Sequence, residues 1–478
     1  MINGTTLIER GWPTGPLIGQ ALALARTLQA DGLTEPATLA ALARIHDDPE
    51  AVLAGEAGFE LAQALVDLRS VPEPPAIRER PLDVPIWGRE LIDRNAIRQM
   101  EDAMRLPVSV AGALMPDAHL GYGVPIGGVV ALDGAVAPYM VGVDIACRMM
   151  LSVYPADALG FLDEGPRRDA LRRAMREESR FGIGARFQKG RRRQHAVLDD
   201  PDWAATPLLR SLHDKAHAQL GTSGTGNHFV DAGRLDVGAA GAEALGVAEG
   251  RYFAVLTHSG SRGVGATIAD RYSKLARELT PLPRELQALA WLDLGSEPGQ
   301  EYWTSMNLAG RFASACHHTL HDALGAALGV EAIATVENHH NFAWTETHTV
   351  DGSAREVVVH RKGATPAGPG VLGVVPGSQG HPSYVVRGRG AAASLHSASH
   401  GAGRQMGRRQ AVRTLSREAR DAWLAARGVE LLGSGMDEAP QAYKDIDAVL
   451  ALQADLVEPV ARFDPAIVLM ASDGKSEG

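Results

Sequence analysis

Only two cysteines, Cys147 and Cys316, occur in 478 residues. That excludes a disulfide scaffold and any zinc site built from paired CxxC motifs. No apolar run reaches the ~18 residues needed to cross a bilayer. No charged-then-apolar leader opens the chain. The expectation is a cytoplasmic protein with no membrane partner. Positive charge is in the minority, 47 Lys+Arg against 57 Asp+Glu, for a net charge of −10. A uniformly basic nucleic-acid-binding protein is therefore excluded. Hydrophobic residues at 45% and charged residues at 22% are ordinary for a soluble globular chain, and the length allows two or three domains. Glycine and histidine are the abundant types. There are 53 glycines and 17 histidines, and ten of the histidines lie between His317 and His400.

Charge is also uneven. Residues 355–420 carry eleven Lys and Arg, from Arg355 to Arg420, against Glu356 and Glu418 alone. A basic stripe on an acidic protein can form an anion-binding surface. Residues 18–69 read as helices, with Thr34 as an N-cap and Pro16 suited to a first helical position. The Pro-rich run Val71-Pro72-Glu73-Pro74-Pro75 breaks that pattern. Beyond about residue 85, short β-rich runs (GGVVAL, MMLSVYP, YFAVLT, REVVVH, SYVVRG) alternate with glycine loops. Helices are predicted at 165–178, 265–280, 302–328, 405–426 and 440–456. The expected fold class is mixed α/β. It comprises a helical extension over 1–80 and one large domain over 85–478 with mixed sheets and surrounding helices.

Five segments carry chemistry. In Val141–Arg148, Asp144 and Cys147 stand three apart and can face one metal. A thiolate with a carboxylate suits a divalent transition metal better than magnesium. Read alone, Cys147 is equally a core residue. The loop 221–226 presents backbone N–H groups suited to an anion and delivers Asn227 and His228 to a strand start, though a plain glycine turn explains it too. The run FAVLT places His258 at a strand end, followed by Arg262 in a Gly/Ser setting suited to phosphate. In Glu337-Asn-His-His-Asn341 the adjacent histidines point opposite ways, so at most one joins a given site. In 397–404, small residues surround His400, and Arg404 and Arg408 follow at i, i+4 spacing on an expected helix. A histidine there can be a ligand, a base or a nucleophile. Taken together, the segments suggest metal-assisted phosphate chemistry. Cys316, His317, His318 and His321 are expected in a helix, the cysteine in its core and the histidines decorating it.

Nine ordered motifs then coincide: MPDAHLGYG (115–123), VGVDIAC (141–147), GTGNHF (224–229), HSGSRG (258–263), HHN (339–341), RKGA (361–364), PGSQG (376–380), SHGAGR (399–404) and AYKDID (442–447). Over about residues 85–470 the chain resembles the RtcB family of GTP-dependent RNA-splicing ligases. The resemblance implies joining of an RNA 3′-phosphate or 2′,3′-cyclic phosphate to a 5′-hydroxyl, with GTP and two Mn2+ ions per site. It implies that His400 becomes a histidine–GMP intermediate. It implies Asp144, Cys147, His228, His258 and His340 as metal ligands, with Cys147 bridging. Asn227, Phe229, Asp231, Ser378, Ser383, Ala402, Gly403 and Tyr443 would line the nucleotide pocket. Asp117, Arg262, Lys362 and Arg404 would hold phosphate or support the ligands. RNA ends and GTP are the implied partners; no activating protein is assigned.

Departures fall where the base is read. The family's terminal strand is followed by Lys-Gly; here it is followed by Ala471-Ser472, with Lys475 displaced. Asp231 stands where a glutamate is usual. Gly121-Tyr122-Gly123 replaces GKG, and Gly407-Arg408 replaces Ser-Arg. Two further readings therefore stand beside ligation: a nucleotidyltransferase that caps RNA or DNA 3′-phosphate ends without joining, and a catalytically silent RNA-binding paralogue. In the extension, 11–19 is similar to a short segment in the helical tail of tRNA nucleotidyltransferases, and equally suits a packing appendage.

Overall fold

The computed structural model describes residues 2–13, 15–52, 54–69 and 73–471, so Lys475 lies outside the described residues. The chain divides into two compact units, Met1–Pro74 and Pro75–Gly478.

The smaller unit is helical: Gly4–Ile8, Pro16–Ala30, Glu35–Asp47 and Phe59–Arg69. Pro16 opens its helix, where its missing N–H costs nothing. Thr34 caps the next, its hydroxyl accepting from Ala37 N at 3.4 Å. Leu7, Trp12, Leu42, Ile45, Leu61 and Leu65 form its core.

The larger unit is mixed α/β, as expected, and holds two principal sheets. The four-stranded antiparallel sheet runs Ser109–His119, Ile126–Leu132, Ser353–Lys362, Asn341–Val350. The eight-stranded sheet runs Leu372–Val375, Ser383–Gly388, Val457–Met470, Phe229–Val237, Gly250–Ser259, Arg148–Tyr154, Ala334–His339, and Glu430–Gly433 pairs parallel with Val457–Met470. Its two ends approach each other through one side chain. Asn338 Oδ1 accepts from Val374 N at 2.8 Å, and its Nδ2 donates to Thr365 Oγ1 at 2.8 Å. The sheet is thereby nearly closed into a barrel.

One face of this sheet packs on the 32-residue helix Glu297–Leu328, capped by Ser296 and ended by Gly329 in the left-handed region. Leu320 and Leu324 from the helix meet Val230, Phe253 and Val255 from the sheet. Burying each such side chain stabilises by ~1.5–3 kcal/mol. Cys316 is buried there, as expected. Of the histidines beside it, His318 is half-exposed and pairs with Glu337 at 2.8 Å, but the other two are not decoration. His317 is 1% and His321 4% exposed, because the helix turns that face into the sheet.

Two other expectations are corrected. The helix expected over 405–426 is two, Arg408–Thr414 and Arg417–Ala425, because Ser416 caps the second by accepting from Ala419 N. Arg404 therefore lies outside any helix and shares no helical face with Arg408. The helix expected over 440–456 reduces to a short turn, Pro440–Ala442, and Ile446–Ala451.

Candidate functional site

Strand register gathers the site at one end of the large sheet. Met149 lies opposite His258, Phe229 opposite His258, and Arg148 opposite His339. The residues preceding or ending these strands, Cys147, His228, His258 and His340, thus converge. His340 occupies the step where the chain leaves one sheet for the other. Its N–H donates to Cys147 O at 2.9 Å and its carbonyl accepts from Gly363 N at 2.7 Å. The neighbour His339 faces away and stacks against Trp344 and Phe342. One histidine of the pair joins the site, as strand alternation requires.

The donor atoms sit close. Cys147 Sγ is 3.3 Å from His228 Nε2 and 3.1 Å from His258 Nε2. His258 Nε2 is 3.2 Å from His340 Nε2, and His228 Nε2 is 2.9 Å from Asp144 Oδ2. Cys147, His228 and His258 form a buried metal-competent group, with ligand atoms within 4.8 Å of one another. His258 Nδ1 donates to Asn227 O at 3.1 Å, which leaves the Nε2 lone pair for a cation. Burial, with the charge of His228, lowers His258 to about 3, so its imidazole is neutral, the ligating form. Burial and the Asp144 charge push the Cys147 thiol well up. A thiolate here needs a cation beside it. Burial opposes ionisation of Asp144 too, yet His228 and Arg262 hold it at about 2. One partly buried carboxylate, one thiol and imidazoles facing one another form a donor set that fits a divalent transition metal.

The backbone is bent to permit this. Ala146 and Arg262 adopt φ of 56° and 57°, unfavourable for residues with a Cβ. Gly260 must be glycine: a Cβ there would lie 2.2 Å from Asp144 Oδ1.

His400 follows the short strand Ser397–Ser399, with its ring 4.9 Å from that of His340. Its Nδ1 lies 2.7 Å from Asp117 Oδ2, which also accepts from His400 N at 3.2 Å and Gly401 N at 3.4 Å. Asp117 is fully buried. Burial raises its pKa, but the hydrogen bond and charge from His400 outweigh that and hold it below the usual carboxylate range. With Nδ1–H committed to Asp117, the free lone pair of His400 is on Nε2. Gly403, at φ 73°, lets this loop lie against Asp117, whose carbonyl would be 2.0 Å from any Cβ.

A family model described as "tRNA-splicing ligase RtcB" matches residues 99–471. The chain belongs to the RtcB family. It is similar to RNA-splicing ligase RtcB1 of Escherichia coli strain ATCC 25922, 33% identical over 409 residues covering 79% of this chain and 94% of that one. RNA-splicing ligase RtcB of Mycobacterium tuberculosis H37Rv is 33% identical over 431 residues, 77% of this chain and 98% of that one. The tRNA-splicing ligase RtcB of Archaeoglobus fulgidus is 30% identical over 441 residues, 79% and 91% respectively.

Of the residues singled out by resemblance to RtcB, Asp117, Asp144, Cys147, His228, Arg262, His258, His340 and His400 form one connected group. Arg262 donates to His228 Nδ1 at 3.3 Å. Phe229 borders the group, its ring 5.6 Å from that of His258. The loop bearing Ser378 and Ser383 is tied to the His400 segment by Ala402 N donating to Pro376 O at 3.0 Å. Ser383 Oγ accepts from Gly377 N, and Ser378 Oγ pairs with His381 Nδ1. Asp231 is buried on the central strand. Burial raises its pKa well above the usual range, and its Oδ1 has no partner among the described residues. Lys362 turns away to the carbonyls of Tyr122 and Tyr139. Arg404 is held by Glu438, Tyr443 and the Asp437 carbonyl.

Two supporting residues escaped sequence reasoning. Lys444 Nζ donates to Pro116 O at 3.0 Å and Ala118 O at 2.8 Å, clamping the strand that carries Asp117. Its lysine within AYKDID was the available signal. Glu438, 1% exposed at its side chain, receives Arg404, Arg408 and Tyr443. Nothing in the sequence marks it.

Proposed function

We propose that this chain is a cytoplasmic RNA ligase that joins a 3′-phosphate or 2′,3′-cyclic phosphate end to a 5′-hydroxyl, using GTP through a histidine–GMP intermediate at His400. The observation that carries the reading is His400, oriented by buried Asp117 with its Nε2 free beside the ligand cluster. The names of the family and its relatives support RNA-end joining.

His400 Nε2 attacks the α-phosphorus of GTP. A P–N bond forms, the bond to the bridging oxygen breaks, and pyrophosphate leaves. Asp117 holds the Nδ1–H tautomer and stabilises the positive ring. An RNA 3′-phosphate oxygen then attacks the same phosphorus, the P–N bond breaks and His400 is restored. The 5′-hydroxyl oxygen attacks the activated 3′-phosphate, GMP leaves, and the hydroxyl proton is released. A cyclic phosphate must first be opened by water to a 3′-phosphate. Two manganese ions, when held by Asp144, Cys147, His228, His258 and His340, supply positive charge to attacking and leaving oxygens. Arg262, anchored against His228, presents a guanidinium suited to phosphate. Asn227, Phe229, Asp231, Ser378, Ser383, Ala402, Gly403 and Tyr443 are assigned to the nucleotide, with Lys362 and Arg404 supporting the loops around it.

The test is incubation with manganese and GTP labelled at the α-phosphate. The protein becomes labelled, and His400→Ala loses the label. Absence of label with all four nucleoside triphosphates overturns the reading. A second assay compares 3′-phosphate with 3′-hydroxyl RNA: joined product from the former supports ligation, while a nucleotide-extended end without joining supports capping instead.

A further inference from the structure

Aromatic rings are kept from water throughout this chain, with one exception. Tyr122, at 67%, is the single exposed Phe, Trp or Tyr among the described residues. Leu120 beside it is 53% exposed. Among the described residues, no hydrogen bond or ring contact holds the Tyr122 side chain.

The backbone under that ring is fastened on both sides. Gln99 brackets Gly121: its Oε1 accepts from Gly121 N at 3.0 Å and its Nε2 donates to Gly121 O at 2.6 Å. Lys362 Nζ donates to Tyr122 O. Gly123, at φ 75°, lies against Ala288, whose carbonyl would be 2.9 Å from any Cβ. Packing does not explain a fixed turn that leaves its aromatic ring in water.

Position supplies a reason. The turn 120–125 joins Ser109–His119 to Ile126–Leu132, and His119 pairs with Ile126 at its base. The same hairpin carries Asp117, which orients His400. Ile126 presses on Gly363: a Cβ there would meet Ile126 Cγ2 and lie 3.2 Å from His400 Cε1. Lys362 also donates to Tyr139 O at 2.9 Å, in the short helix Pro138–Val141 that leads to Asp144. Val143, just before that residue, is 43% exposed. Tyr122 is thus tied between the segment that orients His400 and the segment that delivers Asp144.

A ring on a fixed turn loses little freedom when a flat partner lies on it. Every nucleobase has a face to stack, and unpaired bases at strand ends are free to use it. Leu120, Tyr122 and Val143 are too few for a stable protein interface, which takes about 20–30 residues a side. We propose that Tyr122 is a stacking platform for the unpaired terminal base of an RNA end brought to His400. The contact places the strand without reading its sequence. This rests on the reading of the site as an RNA ligase.

The test uses single-stranded RNA in two pairs, with fluorescence anisotropy read on the full chain in manganese. One pair ends in a 3′-phosphate and the other begins with a 5′-hydroxyl. In each pair one strand is intact and the other lacks the base of that terminal nucleotide. The wild-type protein binds the baseless strand of at least one pair roughly tenfold more weakly, the effect of one lost stack. Tyr122→Ala binds the intact strand as weakly as the baseless one, while Tyr122→Phe, which keeps the ring, retains the difference. Equal binding within both pairs by the wild-type protein overturns the role of Tyr122 and leaves the ligase reading standing. A difference that persists in Tyr122→Ala overturns it equally. If the wild-type protein binds none of the four strands, the RNA reading and the proposal fall together.

Discussion

Two buried histidine groups hang from adjacent residues of one strand, and they differ in who supplies the protons. On one side, His258 Nε2 faces Cys147 Sγ at 3.1 Å and His340 Nε2 at 3.2 Å. No hydroxyl stands between them, so at least one nitrogen lone pair has no hydrogen to accept. On the other side, Thr257 Oγ1 lies 2.7 Å from His317 Nδ1 and 2.8 Å from His321 Nε2, and His321 Nδ1 lies 2.8 Å from Ser152 Oγ. Hydroxyls both donate and accept, so that network is satisfied except at His317 Nε2, which has no partner among the described residues. Burial is alike in the two groups. What separates a ligand set from a structural network is the convergence of sulfur and imidazole nitrogens with no hydroxyl to bridge them.

The sharpest way to break this comparison is to delete one member on each side. Cys147→Ala removes the atom nearest two imidazoles. Manganese content measured on the purified protein falls to background, and the rate of GMP transfer to His400 falls by more than about a hundredfold. His317→Ala leaves manganese content unchanged. If His317→Ala lost metal while Cys147→Ala kept it, the assignment of the two groups would be reversed.

The convergence of Cys147, His228, His258 and His340 was legible only through the motifs that carry the family resemblance; read alone, Cys147 suited a core and the loop before His228 a plain glycine turn. Alternation required that at most one of His339 and His340 join the site, and the resemblance named His340. The helix was read with its histidines on the surface, which holds for His318 and fails for His317 and His321. Yet Ala313, Cys316, His317, Leu320, His321 and Leu324 recur at helical spacing and form one buried face. The break at Leu415-Ser416 was legible as a Ser N-cap and was passed over for an apparent continuous basic helix. Lys444 was marked only by its place in AYKDID, and Glu438 by nothing. Their roles depend on partners brought close only by the fold, such as Pro116, 328 residues away from Lys444.

A second contrast lies within the site. Asp117 touches His400 but none of the atoms around Cys147, so Asp117→Asn separates tautomer control from metal binding. The asparagine can present its amide nitrogen to Nδ1 and lose the fixed orientation. The rate of His400 labelling drops roughly a hundredfold or more, with manganese content unchanged. An unchanged rate would leave Asp117 as a packing residue.

The structural network predicts a stability effect without a metal effect. His321→Leu fills much of the same space but takes His321 from Ser152 Oγ and leaves Thr257 Oγ1 with His317. The larger unit loses about 1–3 kcal/mol, read as a lower urea midpoint, and manganese content stays constant.

The smallest effect is on pH dependence, and its sign follows from burial. Burial lowers His321 to about 3 and His360 to about 4. Unfolded, each takes a proton near pH 6.5. Folded, each stays neutral until the pH reaches its lowered value. The unfolded chain therefore binds more protons between pH 6.5 and about 3 for His321, or about 4 for His360, and stability falls as pH falls through that window. Above pH 6.5 neither group contributes a slope. At pH 5.5 each costs roughly 1 kcal/mol relative to pH 7.5. The urea midpoint should drop between those two values, and His321→Leu should make the drop shallower by about the share of one histidine. A slope untouched by His321→Leu would mean that His321 takes up its proton near pH 6.5 in the folded state as well. It would then donate from both nitrogens to Thr257 and Ser152, and the two histidine groups would differ in charge as well as in the source of their protons.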